Sequence, residues 1–307
     1  MNDPDAIVLE DETLRDGLQV EKRVFSLEEK LELYRSLAAA GVKRIQVGSF
    51  VHPRLVPQMA NTDQLIREIT ARGGGSETEL SALILNARGL ERALDCGIGH
   101  LSMSVSVSDT HSRKNAGKSA EEALGAMTSL ITGAIDRGME VRAGIQCAFG
   151  CVYEGKIAVQ SVEEAARRFV DAGAREINLA DTTGMASPAG VADLVARIST
   201  RFPEVSISLH LHDTRGLGLA NMYAGYLAGV RTFDVCAGGL GGCPFVKGAA
   251  GNVPTEDAVN MFSLLGLDTG IDIEAICTTV AALEKILTRR LPGRMSMVLA
   301  SGKQNGC

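Results

Sequence analysis

The chain has 307 residues, 45% of them hydrophobic and 4% aromatic, with 34 glycines and no tryptophan, enough for one large barrel or two medium domains. A net charge of −6, with no basic stretch interleaved with aromatics, argues against nucleic-acid or membrane-surface partners. No run of about 18 apolar residues predicts a membrane span, MNDPDAIVLE does not read as a signal peptide, and seven scattered cysteines predict a reducing, cytoplasmic setting.

In chain order, short apolar runs predict eight strands: AIVLE at 6–10, RIQVGSF at 44–50, LSALIL at 80–85, HLSMSVSV at 100–107, EVRAGIQCAF at 140–149, EINLA at 176–180, VSISLHLH at 205–212 and TFDVCA at 232–237. Segments of helical period separate them. Three helices open with a capping box: Ser26 with Glu29, Ser119 with Glu122, and Ser161 with Glu164. AAAGVKRIQV, VDAGAREINL and GYLAGVRTFDV share a form, a helix ending near a glycine with a strand at once behind it. The pattern predicts an α/β fold, a (β/α)8 TIM barrel, as a single domain over 1–307. A further helix is expected outside the barrel at about 271–291, followed by a mobile tail, SGKQNGC. The competing doubly wound sheet needs a G-x-G-x-x-G turn after its first strand, and that turn reads DETLRDGLQ. Cys147 and Cys151 have no second pair at zinc-site spacing and read as core or site-lining thiols.

Catalytic groups of a barrel sit at the C-terminal ends of its strands. Arg15, Asp16 and Gln19 follow strand 1, His210 and His212 end strand 7, and Cys243 and Asn252 lie in the glycine-rich loop after strand 8. Residues two apart on a strand share a face, so His210 and His212 converge if that face is the interior. An isolated H-x-H is more often two ordinary rim histidines. Here Asp16 and Asn252 join it from neighbouring strand ends once the barrel closes. Two imidazoles, a carboxylate and an amide oxygen suit a divalent ion such as Mg2+ or Mn2+ better than zinc.

RDGLQ, SFVHPRLVPQMANTDQL, SRKNAGKSAEEAL and above all GGLGGCPFVKGAAGNVPTEDAV resemble the 3-hydroxy-3-methylglutaryl-CoA (HMG-CoA) lyase family, over nearly the whole chain from about Glu10 to Gly270. DETLRDG is also similar to the isopropylmalate and homocitrate synthases. The resemblance implies that Asp16, His210, His212 and Asn252 hold the metal. It implies that Arg15 steadies the enolate oxygen of the leaving acetyl-CoA and that Cys243, Asp181 and Glu256 serve catalysis. By the same resemblance Gln19, Gln46, Ser49, Lys114 and Asn115 lie near substrate and CoA. It further implies an acyl-CoA substrate, a homodimer and a place in leucine degradation. Read from the residues alone, Cys243 is equally a small buried residue. Arg15 is equally a rim ion pair with Asp11 or Asp181. Lys114 and Asn115 are equally solvated loop residues, and Asp213 is a candidate to orient a histidine.

The chain departs from that pattern near the site. Gln46 stands where the lyases carry a glutamate at the end of strand 2, and Asp11 replaces a glutamate four residues before Arg15. Both changes predict a different acyl substrate or weak turnover of HMG-CoA. The loss at Gln46 predicts one negative charge fewer beside Arg15. A Claisen-type synthase would use the same metal and arginine, but those enzymes usually carry a C-terminal regulatory domain and lack the GLGGCPF loop. A barrel that binds metal or acyl-CoA without chemistry is the non-enzymatic alternative.

Overall fold

The computed structural model describes residues 6–75, 77–242 and 251–304. Its eight parallel strands are β1 (Val8–Asp11), β2 (Arg44–Ser49), β3 (Glu79–Ile84), β4 (His100–Ser106), β5 (Glu140–Gln146), β6 (Glu176–Ala180), β7 (Ser206–His210) and β8 (Thr232–Val235). They pair in sequence order, and β8 returns to β1 with Val8 opposite Thr232 and Asp11 opposite Val235. The closed barrel bears out the predicted fold. Every predicted strand is present, most of them trimmed at the ends. The run at 140–149 stops at Gln146 because Cys147 turns to a φ of 59°.

The helices are α1 (Leu27–Ala39), α2 (Thr62–Ala71), α3 (Ala87–Cys96), α4 (Asp109–Ala116), α5 (Ala120–Ile135), α6 (Val159–Asp171), α7 (Pro188–Arg201), α8 (Gly218–Leu227), α9 (Thr255–Leu264), α10 (Ile273–Leu287) and α11 (Arg294–Gln304). Ser26 and Ser119 cap α1 and α5 with both reciprocal bonds of the box formed. The third predicted box does not form. Helix α6 begins at Val159, which packs on the core, so Ser161 already lies inside it and Glu164 pairs with Arg167 instead. The C-terminal extension is two helices rather than one. Thr288 takes a left-handed φ of 53° and ends α10. The Asp257 carboxylate then accepts from the N–H groups of Arg294 (3.0 Å) and Met295 (2.8 Å) and starts α11. Residues 301–304 of the expected tail belong to that helix. Among the described residues, no helix is long and apolar enough to cross a membrane.

The apolar core lies between the strands and the helices, with residues such as Leu9, Ile45, Leu101, Phe169 and Phe233 fully covered. The barrel interior is polar. Barrels of this kind mostly fill that space with branched aliphatics, yet here Arg142 on β5 reaches Glu10 on β1 (2.8 Å) and Asp234 on β8 (2.5 Å) across it. Ser81 and Gln46 also donate to Glu10. Near the strands' N-terminal ends Arg44 pairs with Glu79 (2.6 Å) and Glu176 (3.2 Å). Buried charges persist only when paired, and this interior pairs cations with anions on facing strands.

Candidate active site

The site is built first by the turn after β1. Asp11 points away from the barrel interior and pins that turn, its Oδ1 accepting from the Thr13 N–H (2.9 Å) and its Oδ2 from the Thr255 hydroxyl (2.7 Å). Thr13 Oγ1 accepts from the Ala237 N–H (2.7 Å) and ties the turn to the end of β8. Asp11 is therefore not a partner of Arg15. The Arg15 guanidinium donates from Nη2 to Glu12 (2.5 Å), from Nη1 to Asp16, and from Nε to Gln46 Oε1 (2.5 Å). Arg15 keeps a carboxylate partner although Gln46 is uncharged, because Glu12, just past the end of β1, turns into the interior.

His210 and His212 project to one face, as their spacing predicted, with their Nε2 atoms 3.1 Å apart. Two such nitrogens at that distance share at most one proton, so at least one lone pair faces the space between them. Asp16 adds a carboxylate, and the ligand atoms of Asp16, His210 and His212 all lie within 4.8 Å of one another. Asn252 arrives by backbone pairing of its segment with the end of β7, where the Val253 N–H donates to the Leu211 carbonyl and the Asp213 N–H to the Gly251 carbonyl. Its Nδ2 donates to Asp16 Oδ2 (2.8 Å), which leaves Oδ1 buried with no hydrogen-bond partner. An orphaned amide oxygen beside a carboxylate and two imidazoles fits a divalent cation. Gly241 closes this corner at a φ of +102°, where a Cβ would sit 2.5 Å from Asn252 Nδ2 and 2.9 Å from Asp16 Oδ2.

The electrostatics at Asp16 and His212 agree with a cation site. Burial would raise the Asp16 pKa, but Arg15 and then the two histidines hold it below the ordinary value. Burial, followed by the neighbouring His210, lowers His212 to about 4, so its ring is neutral and able to ligate. Burial also opposes charge on His210, yet Asp234 and Glu12 outweigh it and raise its pKa.

Arg15, Asp16, Gln19, Asn115, His210 and His212 line one cavity of about 180 Å³ at the C-terminal ends of the strands. Gln46 and Asn252 sit behind it, bonded to Arg15 and Asp16. Ser49 reaches it only through its hydroxyl contact with Gln19 (3.4 Å). Three predicted residues stand off the cavity. Lys114 lies over the Tyr153 ring, 5.1 Å from its centre. Asp181 accepts from the Met185 N–H (2.7 Å) while its neighbours Ala180 and Thr182 face the cavity. Glu256 is buried behind the β8 turn and accepts from the Gly238 N–H (3.0 Å). Cys243 lies outside the described residues. Asp213 does not orient a histidine, because its Oδ1 accepts from the Gly218 N–H (2.7 Å) at the start of α8. Asp234 faces His210 Nδ1 instead, at 3.1 Å.

Sequence reasoning missed Glu12, His111, Arg142 and Asp234. Period-two alternation carried the signal for Asp234, since it aligns with His210 across the β7–β8 pairing. Arg142 occupies an inward position of β5 in the same way. His111 lines the cavity four residues before Asn115, one helical turn away on the same face of α4.

A parallel (β/α)8 barrel with His-x-His, an aspartate and an arginine gathered at its C-terminal rim defines a barrel enzyme with a cation-ready site. The chain belongs to the HMGL-like family, which it matches over residues 6–283, and it is a lyase of that family. Relatives include the (R)-citramalyl-CoA lyase of Chloroflexus aurantiacus, 41% identical and covering 94% of this chain and 93% of its own. The hydroxymethylglutaryl-CoA lyase of Pseudomonas mevalonii is 36% identical and covers 94% of each. Among solved structures, the Bacillus subtilis HMG-CoA lyase superposes with a TM-score of 0.91 at 34% identity, covering 98% of this chain and all of its own. An HMG-CoA lyase from Acinetobacter baumannii, in complex with coenzyme A and 3-methylmalate, gives 0.90 at 33%, covering 97% and 96%.

Proposed function

We propose that this lyase cleaves the C2–C3 bond of a 3-hydroxyacyl-CoA thioester of the HMG-CoA type, releasing acetyl-CoA and an oxo acid. The observation that carries the reading is the convergence of Asp16, His210 and His212 with the orphaned Asn252 oxygen beside Arg15. A divalent ion such as Mg2+ or Mn2+, held by Asp16, His210, His212 and Asn252, supplies Lewis acidity that lowers the pKa of the substrate's tertiary hydroxyl. Arg15 is placed to offset negative charge that develops on the thioester oxygen as the bond breaks. The Glu12 and Gln46 contacts hold its guanidinium in place without reorganisation during the step. Gln19 and Asn115 line the approach from the cavity mouth. Cys243, from the loop after β8, is the proposed proton donor to the acetyl-CoA carbon. Asp181 and Glu256 support the strand ends from behind rather than touching substrate, and Lys114 and Ser49 serve the CoA side of the entrance. Buried thiols at Cys96, Cys147, Cys151 and Cys236 support a reducing, cytoplasmic setting, and a homodimer is the expected assembly.

The acyl group is open between two chemistries. HMG-CoA carries its carboxylate one methylene from the carbinol carbon and yields a 3-oxo acid. Citramalyl-CoA carries the carboxylate on that carbon and yields a 2-oxo acid. The Glu12–Gln46 arrangement beside Arg15, with an uncharged amide within β2, favours testing the second as seriously as the first. The experiment is acetyl-CoA release from each thioester with Mg2+ or Mn2+ added and with chelator. Robust metal-dependent cleavage of either supports the reading. Release from neither, or release insensitive to chelator, refutes it.

A further inference from the structure

Arg142 contacts neither the cavity's cation ligands nor Arg15, yet it anchors a partner of each. Its side chain is fully buried on β5. From Nη1 it donates to Asp234 Oδ1 (2.5 Å) and Glu10 Oε2 (2.8 Å), and from Nη2 to Glu12 Oε1 (2.9 Å). Glu12 and Asp234 each spend one oxygen on Arg142 and turn the other toward the site. Glu12 Oε2 accepts from Arg15 and also lies 3.5 Å from His210 Nδ1. Asp234 Oδ2 faces His210 Nδ1 at 3.1 Å and also accepts from Asn178 Nδ2 (3.2 Å).

We propose that Arg142 is the positioning residue for both halves of the site, setting Arg15 through Glu12 and His210 through Asp234. The inference rests on the metal-dependent reading above. Consider the Asp234 arm. An acceptor at Oδ2 requires His210 to carry its proton on Nδ1, which leaves the Nε2 lone pair facing His212 and Asp16. An asparagine at 234 could not do the same. Arg142 would claim its single oxygen, the amide N–H groups would face His210 Nδ1, and the proton would be driven toward Nε2, with the more distant Glu12 Oε2 (3.5 Å) left as the weaker acceptor at Nδ1. Consider next the Glu12 arm. Arg142 fixes one oxygen of that carboxylate, so the other presents one direction to Arg15. A lysine at 142 keeps the charge but offers a point donor in place of the fork that spans Glu12 and Asp234.

The test uses Asp234→Asn, Glu12→Gln and Arg142→Lys in the full chain, with Mn2+ binding followed by the EPR signal of the free ion. D234N is expected to weaken Mn2+ binding by about 10–100-fold, the usual cost of losing a carboxylate behind a ligating histidine. E12Q is expected to lower kcat while weakening Mn2+ less than D234N does. R142K is expected to show both losses. In the Co2+-loaded protein, an exchangeable shifted N–H resonance of His210 is expected in the wild type and lost in D234N. A merely structural role would not move that resonance. Wild-type Mn2+ affinity in D234N or in R142K overturns the inference, as does equal weakening in E12Q and D234N. If R142K does not fold, the D234N and E12Q pair decides alone. A wild-type chain that takes up no Mn2+ would instead overturn the metal-dependent function, so the two failures are distinguishable.

Discussion

Gln46→Glu installs the glutamate that the family resemblance leads one to expect at this position, and the structure predicts that it harms the protein. Gln46 uses both ends of its amide. Its Oε1 accepts from Arg15 Nε (2.5 Å), and its Nε2 donates to Glu12 Oε1 (2.8 Å) and Glu10 Oε1 (3.3 Å). An ionised carboxylate keeps the first contact and turns the other two into oxygens facing oxygens. At an effective dielectric constant of about 20, two unit charges about 3 Å apart repel by roughly 5–6 kcal/mol. Two such contacts outweigh the one gained attraction to Arg15. The new side chain therefore keeps a proton, since a protonated glutamic acid can accept from Arg15 and donate to Glu12 as glutamine does. Its folded pKa then lies above the unfolded value of about 4.3. The variant should match the wild type near pH 4 and lose ground as pH rises, by about 1.4 kcal/mol per unit, until the folded pKa is reached. At pH 8 that gives a deficit of about 3–5 kcal/mol, bounded by the cost of holding the proton. Urea unfolding at pH 5.5, 6.5, 7.5 and 8.5 measures it, with kcat for thioester cleavage followed in parallel. A deficit independent of pH, or a Q46E variant more active than the wild type at pH 8, would refute the argument.

Gly241→Ala should weaken Mn2+ binding at least tenfold by calorimetry, because its Cβ would fall 2.5 Å from Asn252 Nδ2 at a φ of +102°; unchanged affinity would remove Asn252 from the ligand set. Chelation should lower the Tm and abolish cleavage, and Mn2+ at 100 times its Kd should return about 2.7 kcal/mol of stability; Asp16→Asn should lose that metal-dependent rise. Glu256 is buried, and desolvation raises its pKa to about 7 from the ordinary 4.5. A raised carboxyl pKa means stability present below pH 4.5 and lost as pH climbs toward 7. Glu256→Gln keeps the acceptor for the Gly238 N–H and cannot ionise, so its Tm advantage over wild type should grow from pH 5 to pH 8. A constant difference would show that Glu256 ionises as easily folded as unfolded.

The barrel was legible because short apolar runs alternated with helical segments, and the metal corner because His210 and His212 share a strand face. Ser161 misled for a local reason. A capping box scores three residues at a time, while the start of α6 is set by how far upstream Val159 still finds core to cover. The second C-terminal helix was hidden because its first turn is held by Asp257, a carboxylate nearly forty residues earlier in the chain.

Gln46 shows most clearly what a single strand cannot reveal. Read alone, it is a glutamate lost, and one charge fewer follows. The missing information lay on two other strands. Glu12 at the end of β1 supplies a carboxylate to Arg15, and Arg142 on β5 holds that carboxylate in place. Charge in a closed barrel belongs to the interior layer rather than to a position, because every inward side chain meets neighbours from strands far away in sequence. A position that loses a carboxylate can be compensated from any strand contributing to the same layer. Such a layer resists an added charge, since a carboxylate placed at position 46 would meet Glu12 and Glu10.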